Sequence, residues 1–316
     1  MKTFSWLLRR EVWEHRSVYL VPLVFLSLLV LVYSYGLLVH GPTGMVDFHS
    51  DHGAMSFSDA LEEPQARMAF KLAAGGLPFI VPAILLNAAM LFVWFFYLTD
   101  ALYADRRDRS VLFWKSLPVN DASAVLSKFV TAMAVIPLFT LAGVLVAATF
   151  MTLANTVFAW LIGASAWELI WSQIPMFSAP LTLLYAFAVQ SLWYAPLFGW
   201  LLLASAWARR VPALWAILPP AAAALLEVAV LRSSNFAELL AVRLTPIVPT
   251  AYRDEEMGRV LDRVHYSGED IDWTQAFGTL IDPQSFLAEP GMWGGLVVAA
   301  IFVGAAVWLR RYRDEN

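Results

Sequence analysis

Asp105-Arg106-Arg107-Asp108-Arg109-Ser110-Val111-Leu112-Phe113-Trp114-Lys115-Ser116-Leu117-Pro118-Val119 separates two long apolar runs and organises the rest of the chain around it. It combines a charged collar, a short apolar-aromatic helix and a Leu-Pro stop. Such charges followed by Phe113 and Trp114 do nothing for membrane insertion, so the segment makes sense as a surface gripped by a partner. Residues 110–117 make about two helical turns. Asp105 and Asp108 lie toward the start and Lys115 near the end, the order the helix dipole favours. Pro118 stops the helix, and Asn120 or Asp121 is placed to cap the next one. The plainer alternative is a surface helix whose aromatics rest in the lipid interface.

Outward from the collar the chain is apolar. Hydrophobic residues make up 60% of 316 positions and charged residues 15%. A soluble domain carries about 25% charged residues, so the composition indicates a membrane protein. There is no cysteine, which excludes disulfides, a thiol nucleophile and zinc-thiolate sites. The first apolar run, 18–39, is too long for a signal-peptide core and lacks a small-residue cleavage site, so it is expected to be a retained anchor.

Six segments are long enough to span: 19–39, 78–102, 125–153, 181–206, 212–231 and 291–309. Pro82, Pro137, Pro196, Pro219 and Pro220 inside them suggest kinks rather than breaks. Lys2, Arg9, Arg10 and Arg16, then Arg106, Arg107, Arg109, Lys115 and Lys128, then Arg209 and Arg210, then Arg310, Arg311 and Arg313 fall on one side. They are 14 of the 21 basic residues, so both termini are expected in the cytoplasm. Residues 1–17 read as a basic amphipathic helix at the inner surface, with Phe4, Leu7, Leu8 and Val12 on its apolar face. An ordinary basic flank is the alternative. Residues 155–180, with Trp160, Trp167 and Trp171, suggest a re-entrant or surface-lying helix. Residues 232–290 form an acidic outer segment, expected to be a cap of short helices.

The collar resembles the hallmark of ABC type-2 permeases, the transmembrane subunits of one class of ATP-binding-cassette exporters. Asp105 matches the family's leading acid, Ser110 its threonine, Leu117-Pro118-Val119 its core and Lys128 the lysine entering the next span. Arg109 stands where the family usually has glycine, and Asn120 replaces its common serine. The resemblance implies an all-α membrane protein in a bacterial cytoplasmic (inner) membrane, with 105–119 as the coupling-helix region. Asp105, Arg106, Arg109, Phe113, Trp114, Lys115, Leu117 and Pro118 would then transmit motion from two copies of a cytoplasmic ATPase. A second permease subunit, identical or related, would complete the pore. The chain has no G-x-x-x-x-G-K-[ST] loop, so ATP and Mg would be bound by the partner and no cofactor by this chain. The other expected partner is the bilayer; nucleic acid is not one.

Polar residues inside spans are few. Asn87, Gln190, Ser191, Tyr194 and Glu227 either line a substrate path or make interhelical hydrogen bonds, including at a dimer seam. Their scarcity argues against an ion-coupled carrier. A non-transporting sensor or scaffold that binds a ligand through 232–290 is a further alternative. Glu62-Glu63-Pro64-Gln65-Ala66-Arg67 matches an intramembrane protease element, but no later span offers histidines to hold a metal. His49 and His52 read as a solvated loop rather than a metal site, and no serine triad is evident, so catalysis is not expected.

Overall fold

The computed structural model describes residues 2–40, 70, 74–108, 120–245, 249–253 and 272–312. Arg109, Phe113, Trp114, Lys115, Leu117 and Pro118 lie outside the described residues, as do 47–52, 62–67 and His265.

The described chain is helical. In order it forms α1 (Lys2–Glu14), α2 (Ser17–His40), α3 (Leu77–Arg107), α4 (Asp121–Leu161), the short α5 (Ala166–Leu169), α6 (Ser178–Trp207), α7 (Pro212–Leu231), α8 (Asn235–Leu244), α9 (Trp273–Leu280), α10 (Pro283–Ala288) and α11 (Pro290–Tyr312). Six of these stretches, those containing α2, α3, α4, α6, α7 and α11, are long and apolar enough to cross a membrane. The protein is a multi-pass helical membrane protein.

The largest boundary difference from the sequence reading is in the third span. The third span does not end near 153 but continues as helix to Leu161, because Asn155 is satisfied by accepting a hydrogen bond from the Tyr33 hydroxyl at 2.6 Å. Trp160 therefore ends a span, and Trp167 sits on the short α5, which the Ser165 side chain caps. Pro22 also lies inside a span, in the first turns of α2. Asn120 is the N-cap of α4, accepting from the Ala122 N–H at 3.1 Å.

Pro137 leaves a mark on α4. It has no N–H to offer Met133, and the turn before it widens into a π-helix at Thr131–Val135. There the Ile136 N–H bonds to the Thr131 carbonyl, and the Trp94 indole N–H takes the Ala132 carbonyl at 2.8 Å. Trp94 in turn stacks with Phe198 and Tyr194 of α6, with ring centroids 4.8 and 5.8 Å apart. α6 is the central helix and packs most closely on α11, where a side chain at Gly199 would meet the Ala299 carbonyl at 3.0 Å. α7 is peripheral: Ala216 is its one buried residue. Val211, between α6 and α7, has φ 46°, a strained left-handed conformation for a β-branched residue.

At 1.5 Å per residue, α2, α7 and α11 run about 30–36 Å, while α3, α4 and α6 run about 45–60 Å. The hydrocarbon layer is about 30 Å thick. The longer three therefore project beyond it. Their surplus at the end away from the collar carries α9: Thr182 donates to the Phe277 carbonyl at 2.8 Å, and Phe79 meets Phe277 edge-on. Trp273 lies on Gly75 and Gly76, where an added Cβ would come within 2.2 and 2.6 Å of its ring.

Candidate functional site

At the collar end, four segments far apart in sequence meet through charge. Lys128, about two helical turns into α4, donates to both carboxylate oxygens of Glu11 on α1, at 3.1 and 3.2 Å. It also lies 3.6 Å from Asp105 on α3. The other Asp105 oxygen accepts from Arg310 of α11 at 2.8 Å, and Arg310 reaches Asp121 at the start of α4 at 3.2 Å. Arg10 of α1 adds a contact to Asp105 at 3.6 Å and donates to Glu14 at 2.8 Å. The Tyr97 hydroxyl donates to Glu11 at 3.1 Å, and His15 packs edge-on against the Tyr97 ring.

This network is dry. Glu11 and Lys128 are each 1% exposed and Asp105 is 3% exposed. Ions removed from water lose several kcal/mol of hydration each, and only close, well-aligned partners offset that loss. Here each buried carboxylate faces at least two cations, so the charges balance locally. The arrangement brackets the collar: Asp105 lies just before 109–119 and Asp121 just after it.

The residues expected to couple or line a path are placed as follows. Asp105 is buried in the network. Arg106 donates to the Ser205 carbonyl and, at 2.9 Å, to the Ala208 carbonyl, neutralising the C-terminal end of α6. Gln190 and Ser191 are buried on α6, and Ser191 donates back to the Phe187 carbonyl. Asn87 Oδ1 is a buried polar atom with no hydrogen-bond partner, and the Gln190 amide lies beside the Tyr194 hydroxyl. Tyr194 donates to the Leu244 carbonyl at 3.1 Å. Glu227 accepts from the Phe236 N–H and the Ser233 hydroxyl, both at 2.8 Å, and so holds the start of α8.

On the N-terminal helix Leu7 and Glu11 are buried, while Phe4, Leu8 and Val12 are half-buried. Glu11 is drawn into the bundle by Lys128, since a buried lysine needs a carboxylate.

Sequence reasoning missed Glu11, Arg310 and Tyr97. The signals were there, since Glu11 is an acid in a basic terminus and Lys128 is a cation inside an apolar span. It also missed Arg243 of α8. That guanidinium stacks 3.9 Å over the Trp193 ring, donates to the Trp193 carbonyl at 3.1 Å and to the Gly291 carbonyl, and fills the space beside Gly295. Burial pulls the Arg243 pKa below its ordinary value, and the nearby Glu289 charge opposes that shift.

Among the described residues no group of three or more His, Cys, Asp or Glu is arranged to hold a metal. In comparisons with known proteins, no family model, curated protein or solved structure matches this chain.

Proposed function

We propose that the chain is the membrane-spanning permease subunit of an ATP-driven ABC exporter of the type-2 class. In this reading it sits in a bacterial cytoplasmic membrane with both termini in the cytoplasm. It works beside a second permease subunit, identical or related, and takes force from two copies of a cytoplasmic ATPase that bind ATP and Mg. The chain itself does no covalent chemistry.

The observation that supports this most is the ion network on either side of 109–119. A push on the segment holding Phe113 and Trp114 would pull on Asp105 and Asp121 together. Through Lys128, Glu11 and Arg310 that pull reaches α1, α3, α4 and α11 at once. Rigid coupling of four helices to the one stretch of chain between Asp105 and Asp121 is what force transmission between subunits needs. Asn87, with a buried amide oxygen still unpaired, and the buried Gln190 are the polar points such a reading assigns to the cargo path or the subunit seam.

The test is Phe113→Ala with Trp114→Ala in the assembled complex. Expected is normal membrane insertion and ATP hydrolysis with transport lost. Coupled transport at the wild-type rate, or a purified chain that brings down no ATPase, overturns the reading.

A further inference from the structure

Trp6, Arg9 and Trp13 follow one another at i, i+3 and i+7 and so form a single stripe along α1, on the side opposite Glu11. All three are exposed, the indoles at 61% and 63%. The Arg9 guanidinium lies over both rings, 5.6 Å from the Trp6 centroid and 4.8 Å from that of Trp13. A guanidinium stacked by its face keeps its N–H groups pointing outward along its edge, the geometry that suits a phosphate.

The helix is held at a fixed height. Glu11, on its other face, is bonded to Lys128 at the start of α4, and the first span begins at Ser17. α1 therefore lies where the spans leave the hydrocarbon. Two widely exposed indoles are unfavourable in bulk water and favoured among lipid headgroups. The same end exposes Arg16, Arg107, Arg209, Arg210 and Arg311, which makes its field positive.

We propose that Trp6, Arg9 and Trp13 form a binding surface for the phosphate of an anionic phospholipid. The edge of the Arg9 guanidinium donates to the phosphate oxygens, and the two indoles insert among neighbouring headgroups. Because Glu11 of the same helix belongs to the ion network, the bound lipid holds α1 against the collar end. This inference rests on the membrane spans and not on ATPase coupling, so either can fail without the other.

The test is native mass spectrometry of the purified full-length protein with phosphatidylglycerol and with phosphatidylcholine. Wild type retains phosphatidylglycerol preferentially. Arg9→Gln lowers that retention about fivefold. Arg9→Lys, which keeps the charge and loses the planar fork, falls between, and Trp6→Leu with Trp13→Leu lowers retention of both lipids. Since Arg9 is exposed, thermal unfolding of Arg9→Gln matches wild type. Arg311→Gln at the same end has a smaller effect. Equal loss in Arg311→Gln and Arg9→Gln, or unchanged retention in Arg9→Gln, overturns the proposal. So does a photoreactive residue in place of Trp13 that captures a polypeptide rather than lipid in native membranes.

Discussion

The two ends of the bundle are held together by different physics. At the collar end, charges of both signs from α1, α3, α4 and α11 are buried against one another, with Lys128 and Asp105 nearly inaccessible to water. At the far end a single arginine, Arg243, is held mainly by backbone carbonyls and a tryptophan face. The first arrangement links many segments and is intolerant of losing any one charge. The second ties α8 to α6 and α11 through neutral acceptors that remain satisfied within their helices if the arginine leaves. One end is tied into a unit by paired charges, the other is joined through one side chain.

The largest effect should come from Lys128→Met, which takes from Glu11 its closest cation, leaving Arg10 at 3.9 Å, and removes one of the cations facing Asp105. Removing one member of a buried ion pair costs about 3–5 kcal/mol, measured as denaturant unfolding in detergent micelles. Adding Glu11→Gln should restore part of that loss. If the double variant is as unstable as the two single losses added together, the pair is not coupled and the contrast between the ends collapses.

A smaller effect is expected at the far end. Arg243→Met removes two hydrogen bonds and a ring stack, about 2 kcal/mol. It should appear as faster proteolysis around 235–253 without change in the collar end. Gly295→Ala sharpens the assignment, since its Cβ would lie 2.6 Å from the Arg243 guanidinium. Alanine should loosen α8 when Arg243 is present and do nothing further once Arg243→Met has been made.

The smallest effect concerns α10. Asp282 caps this helix, accepting from the Ser285 N–H at 3.1 Å and its hydroxyl at 2.8 Å. Those bonds hold its pKa below the ordinary carboxylate value of 3.8. A depressed pKa means the capping stabilisation is fully present above 3.8 and is lost as pH falls through the lowered value. Amide exchange in 283–288 should accelerate only below that point, and Asp282→Ala should abolish the pH step.

Much of the architecture was legible in the sequence. Runs of apolar residues long enough to cross a bilayer announce themselves because every backbone group must be paired within its own helix. The Asn120 cap was legible for the same local reason: its side chain needs only a neighbouring N–H. The extension of α4 past 153 was not, because Asn155 looks like a loop residue until Tyr33, 122 positions away, donates to it.

The candidate site divides in the same way. Asp105 and Lys128 could be singled out from the collar and its surroundings, yet nothing local said that they lie 3.6 Å apart or that Glu11 and Arg310 complete their charge balance. The number of spans and the placement of a basic edge follow from residue order alone, since hydrophobicity and charge act through the solvent each residue meets. Which charges share a dry pocket was decided by tertiary structure alone. Coulomb attraction depends on distance in space, and only the packing of α1, α3, α4 and α11 sets those distances.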